Sequence, residues 1–172
     1  MRNLCVPALA AVAIFCAAAS AADPQVERGK YLVTIAGCND CHTPGYFLGK
    51  PDFSRTLAGS DVGFTIPGLG AFVGRNLTPD KETGLGNWTD DQIVSAITAG
   101  IRPDRRRLAP IMPWKGLSHL SSDDAYAIVA YLRSLPPVKN AVPGPFGPKE
   151  APSTLVSVIV PGDVYAKMPA PK

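Results

Sequence analysis

Apolar positions along the 172-residue chain fall into three helical stripes separated by long stretches without a period. The first covers Gln25 to Gly37, with Val26, the Lys30 stem, Val33 and Thr34 near one face and Tyr31, Leu32 and Ile35 beside it. Asp23-Pro24 is its start signal, an aspartate N-cap followed by proline at the first helical position. The second opens on Thr89-Asp90-Asp91-Gln92, a capping box with two acidic residues in the first turn. Its stripe is Ile93, Ala96 and Ile97, and Gly100 ends it. The third opens on Ser121-Ser122-Asp123-Asp124, carries Ala125, Ile128, Val129 and Leu132, and stops at Pro136-Pro137. Gly29 is out of place, because glycine inside a helix costs about 1 kcal/mol against alanine. It marks either a frayed first turn or a point where another helix crosses closely.

The intervals are as informative as the stripes. Thr43 to Arg75 is rich in glycine and proline and predicts loop, with a short hairpin around Phe64-Thr65-Ile66 and Ala71-Phe72-Val73. A loop of that length is uncommon in a compact domain unless it serves a function. Ile101 to Leu120, broken by Pro103, Pro110 and Pro113, is predicted to be non-helical. Half of the 18 prolines fall between Pro136 and Lys172, which predicts an extended segment without a core of its own. Within it, Thr154 to Val160 is β-branched and apolar, so it is expected to be covered, along the rest of the chain or as an added strand on a partner.

Cys38-Asn39-Asp40-Cys41-His42 carries the chemistry. Two thiols three positions apart on a helical turn reach two vinyl groups on one edge of a haem, and the following imidazole reaches the iron. A thiol redox pair expects a βαβ context, which the pattern does not contain, and a zinc ribbon needs a second ligand pair. The only other cysteines are Cys5 and Cys16, near the N-terminus, and neither alternative accounts for His42. The long loop then has a purpose, since a flat apolar cofactor supplies core that the chain lacks.

With this motif at the end of the first of three helices, the chain resembles a class I cytochrome c from about Asp23 to Leu135. The resemblance implies an all-α, cytochrome c-like domain wrapped around one covalent haem c, with iron held by His42 and Met112. Met112 lies in the proline-rich segment ahead of the last helix, where that family places its methionine. A thioether opposite histidine favours the ferrous form and raises the potential. His119 and Met168 are the rivals for the sixth position. Gly29 resembles the family's contact glycine between first and last helices. Trp88 resembles a tryptophan that hydrogen-bonds a haem propionate, with plain core packing as the alternative. Arg102, Arg105, Arg106 and Arg107 offer propionate pairing, partner docking or a solvated loop.

Composition and charge sharpen the setting. The formal charge is +3, and two haem propionates bring the whole close to neutral, which excludes a dominating basic field for nucleic acid. Residues 1–22 read as a secretory signal: Arg2, an apolar run from Leu4 to Ala18, and a small-residue cleavage site at Ala19-Ser20-Ala21 or after Ala22. The run is shorter than the ~20 residues of a membrane span and contains Pro7. The expected organisation is therefore signal peptide 1–22, cytochrome domain 23–135 and proline-rich extension 136–172, with the mature protein in the periplasm and no membrane span left.

Asn76-Leu77-Thr78-Pro79-Asp80, Asn87-Trp88-Thr89-Asp90 and Ala109-Pro110-Ile111-Met112-Pro113-Trp114 further resemble the cytochrome subunits and partners of periplasmic dehydrogenases. Some of those carry three haem sites, whereas this chain has one motif. The resemblance implies a single-haem electron carrier, not an enzyme, taking electrons from a periplasmic dehydrogenase toward a respiratory oxidase. The alternative from another class is an open-site haem protein, peroxidase-like or gas-binding. A structural interaction module using the proline-rich tail is the third.

Overall fold

The computed structural model describes residues 23–169. Helix α1 spans Pro24–Ile35, and the Asp23 carboxylate accepts from the Gln25 amide, so the cap works as the sequence predicts. A one-residue left-handed turn at Gly37 leads into the short α2, Cys38–His42. Two single 3-10 turns, Tyr46–Leu48 and Phe53–Arg55, break the long loop. Strands β1, Val62–Ile66, and β2, Gly70–Val73, then form the expected antiparallel hairpin, with Phe64 opposite Phe72. Helix α3 spans Asp90–Ala99 with both capping-box bonds made and Gly100 in the left-handed conformation at its end. After α4, Trp114–Leu117, comes α5, Ser122–Ser134, capped by Ser121. Strand β3, Leu155–Ser157, and α6, Gly162–Tyr165, follow.

The all-α expectation is overturned. The hairpin does not end as a loop ornament but takes β3 alongside β1, giving a sheet of order β2-β1-β3. β3 runs parallel to β1, with Val62 opposite Leu155 and Gly63 opposite Val156. The strand lies inside the β-branched Thr154–Val160 run, and it joins the chain's own hairpin across some ninety positions. A second, smaller correction concerns Ile101 to Leu120, which contains the single turn α4. Its prolines all precede that turn; Pro113 itself occupies the N-cap, where a missing N–H does no harm.

Two packed clusters hold these elements. In the first, Leu32 and Val33 of α1 meet Ile93 of α3 and Ala127, Ile128, Val129 and Leu132 of α5, with Leu57 and Leu85 from the loops. Each such residue fully buried is worth about 1.5–3 kcal/mol. Gly29 sits where α1 crosses α5: a side-chain carbon there would lie 1.8 Å from the Ala127 carbonyl oxygen. The close-crossing reading of this glycine is the one the packing supports. Arg28 bonds both carboxylate oxygens of Asp124 across the same crossing.

The second cluster joins the hairpin to the extension. Ala71, Val73 and Phe146 are buried together, with Val142 and Val156 packed against them. The extension is thus extended, as predicted, but shares a core instead of lacking one. Asn76, 1 % exposed, stitches it further: its Nδ2 donates to Val138 O at 2.7 Å and to Thr83 Oγ1 at 3.0 Å. Asn140 donates from its side chain to Ala58 O at 2.8 Å. Most of the apolar run beyond stays in solvent, with Ile159 79 % exposed.

Candidate functional site

Helix α2 presents Cys38, Cys41 and His42 from one short turn, and its surroundings clamp that turn. The His42 carbonyl accepts from the Gly59 amide at 2.7 Å. Thr43, fully buried, donates its hydroxyl to Asn39 Oδ1 at 2.9 Å, and the Thr43 Oγ1 accepts from the Leu57 amide at 2.9 Å. Gly74 presses its backbone against the other side: a side-chain carbon there would lie 1.6 Å from Cys41 O. No other residue type fits at that point.

The His42 ring is buried, and its Nδ1 lies 2.7 Å from the Arg75 carbonyl oxygen. A carbonyl only accepts, so Nδ1 carries the hydrogen and Nε2 keeps its lone pair. Burial lowers the pKa of this imidazole, opposed by the Arg75 bond, which keeps the ring neutral as a metal ligand must be. Both cysteines are free and half-buried. Burial, then the neighbouring Cys41, push the Cys38 thiol up to about 11. Burial, then Asp40, raise Cys41.

The other sequence-derived candidates lie elsewhere along the fold. Met112 is half-buried in the turn before α4, its amide donating to Ala109 O at 3.0 Å. His119 is exposed at the end of the turn that follows, and Met168, half-exposed, lies beyond α6. Trp88 packs against the helical core, and the Arg102 guanidinium stands over its ring at 5.3 Å. Arg102 Nε is the one buried side-chain polar atom without a hydrogen-bond partner among the described residues. Asp104 Oδ1 is 3.5 Å away but outside hydrogen-bond geometry. Arg105, Arg106 and Arg107 are exposed.

Two site residues escaped the sequence reading. Arg75 supplies the carbonyl for His42, and its own guanidinium donates to Val142 O and Gly144 O. Burial, then the charges of Arg102 and Arg106, lower its pKa. Arg133 is the second, bonding Leu85 O at 3.0 Å, Trp88 O and Asp90, and so fixing the backbone that carries Trp88. No motif announces either; an arginine next to a glycine tight against the Cys-X-X-Cys-His turn was the available hint.

The residues fit a haem. A thiol pair and a neutral imidazole with its free nitrogen defined occur together on α2, and beside Trp88 the Arg102 Nε, without a hydrogen-bond partner, is suited to a carboxylate.

Known proteins agree. The family pattern for cytochrome c matches residues 26–136. The chain is 35% identical over 135 residues to the fructose dehydrogenase cytochrome subunit of Gluconobacter japonicus, covering 74% of this chain and 26% of that one. It is 34% identical over 124 residues to the alcohol dehydrogenase (quinone) cytochrome c subunit of Gluconobacter oxydans, covering 72% and 24% respectively. With the gluconate 2-dehydrogenase cytochrome c subunit of Pantoea cypripedii the identity is 31% over 120 residues, covering 69% and 25%. The chain thus spans about a quarter of the length of these relatives. No helix among the described residues is long and apolar enough to cross a membrane, and the leader expected over residues 1–22 lies outside the described residues. The chain belongs to the cytochrome c family, whose cofactor is haem c with its iron.

Proposed function

We propose that Cys38 and Cys41 carry the haem through thioether bonds, that His42 Nε2 and Met112 are its axial ligands, and that residues 23–135 form the haem domain. On this reading residues 1–22 are an export leader and 136–172 an extension. The chain works in the periplasm as a single-haem carrier. It takes electrons from a periplasmic dehydrogenase and passes them toward a respiratory oxidase. The observation that carries the ligand assignment is the 2.7 Å bond from His42 Nδ1–H to the Arg75 carbonyl, which leaves Nε2 free.

The bound haem supplies a one-electron ferric–ferrous couple. The chain's part is to hold its ligands still in both states. Cys38 and Cys41 fix one edge on α2, itself clamped by Gly59, Thr43 and Gly74. Met112 is set in a hydrogen-bonded turn, its carbonyl accepting from the Trp114 amide at 2.8 Å. Arg102, with its spare Nε beside Trp88, pairs a propionate. The exposed Arg105, Arg106 and Arg107 offer an acidic redox partner a docking patch. The dehydrogenase assignment is supported by the names of the relatives, all cytochrome subunits of dehydrogenases.

Exchange of the sixth ligand is the test. Met112→Ala should lower the reduction potential, abolish the weak red absorption band of methionine-ligated ferric haem and let carbon monoxide bind the ferrous form. His119→Ala should leave all three unchanged. The reverse pattern, or carbon monoxide binding by the unmodified protein, refutes the assignment.

A further inference from the structure

Arg75 is held at both ends. Its main-chain carbonyl faces His42 Nδ1 at 2.7 Å, and its half-buried guanidinium donates Nη1 to Val142 O and Nη2 to Gly144 O. Those two carbonyls are not free to follow the side chain. The backbone around them is tied on one flank by Asn140, whose amide donates to Thr83 Oγ1 at 3.0 Å and whose side chain donates to Ala58 O at 2.8 Å. On the other flank Phe146 pairs with Ala71 in both directions, at 2.9 and 3.0 Å, and its ring is buried.

Among the described residues Arg75 makes no ion pair; both partners are neutral carbonyls of the extension, fixed by their own contacts. Two parallel N–H bonds from a planar fork restrict direction as well as distance. The carbonyl presented to His42 and the fork gripped by the extension belong to the same residue.

Resting on the reading of His42 as iron ligand, we infer that Arg75 is a positioning residue for the proximal imidazole, through which the extension at Val142–Phe146 sets the strength of the His42 Nδ1–H bond. An acceptor on Nδ1–H makes Nε2 a stronger donor and favours the ferric state. Loosening the grip therefore weakens that bond and raises the reduction potential. The extension is then a working part of the haem site.

Two full-length holoprotein variants keep the local charge while loosening the grip. Arg75→Lys retains the cation but loses the fork; Phe146→Ala removes the buried ring that packs the extension on the hairpin. Each should raise the midpoint potential and speed solvent exchange of the His42 Nδ1 proton, followed by NMR, about fivefold, the loss of roughly one hydrogen bond. The double variant should shift little further than the larger single one. Arg75→Lys alone decides the matter if Phe146→Ala does not fold. A potential and an exchange rate equal to the unmodified protein in Arg75→Lys, whatever its melting temperature, overturns the inference, as does full additivity. His42→Gly separates the two readings: retention of the low-spin spectrum there refutes His42 as ligand, independently of Arg75.

Discussion

The helical part and the loop-and-sheet part of this chain are held by different means. Where α1, α3 and α5 meet, the joint is apolar and made by side chains whose spacing is written locally. Around α2, the hairpin and the extension, the joint is polar and made largely by backbone carbonyls: Ala58, Arg75, Val138, Val142 and Gly144 each receive a side-chain donor. The first kind of joint tolerates exchange of one apolar residue for another of similar volume. The second depends on single donors that no neighbour replaces. A cofactor-wrapping loop has less apolar material than the helical half, so polar ties supplement its small core.

The helical joint should fail most severely where it is closest. Gly29→Val places a branched side chain into the space of Ala127 O and Tyr131, so α1 must lift from α5. We expect a loss of about 3 kcal/mol, the upper part of the usual overpacking range, read by denaturant unfolding of the holoprotein. The matching break in the polar half is Asn76→Ala. It leaves the Thr78 amide without its acceptor and removes the Asn76 bonds to Thr83 Oγ1 and Val138 O, all made at 2.7–3.0 Å. The expected loss is about 2 kcal/mol, accompanied by faster amide exchange at Val138 and Asn140 with exchange in α5 slowed or unchanged relative to global unfolding. Uniform acceleration in both halves would show that they do not differ as described.

The smallest effect sharpens the comparison through pH. The hydrogen bond from Arg28, and then its charge, hold the Asp124 carboxyl below its ordinary value despite an opposing desolvation. A depressed folded-state pKa means the stabilisation is present above the unfolded value, near 4, and fades as pH falls through the folded one. The group is exposed, so the contribution is modest. Arg28→Ala should flatten the acid limb of the stability profile while leaving neutral-pH haem spectra unchanged. A profile as steep as the unmodified protein's would remove Asp124 from the account.

Legibility followed the same division. Asp23-Pro24, the Thr89–Gln92 box and Ser121 were readable because a cap and its target lie within three residues of each other. Gly29 was readable as an anomaly, and Cys38, Cys41 and His42 as a spacing. The ties from Asn76 to Val138 and from Arg75 to Val142 were not, because the acceptor is a carbonyl that every residue owns, some sixty positions away. The Thr154–Val160 run was readable as a strand by its β-branched residues, but its pairing with β1 was not, for the same reason. The one-turn α4 was missed because three prolines were read as forbidding helix on both sides, although they forbid it mainly upstream.

The crossing of α1 with α5 also has a consequence for the order of events during synthesis. A chain leaving the ribosome exposes Cys38 and Cys41 early, yet α1 has no partner until residues 122–134 are made, and the hairpin has none of its ties until residues 138–157 follow. Neither half can close on the nascent amino-terminal portion by itself. Both thiols therefore stay in unfolded, accessible chain until residues 122–157 have been made.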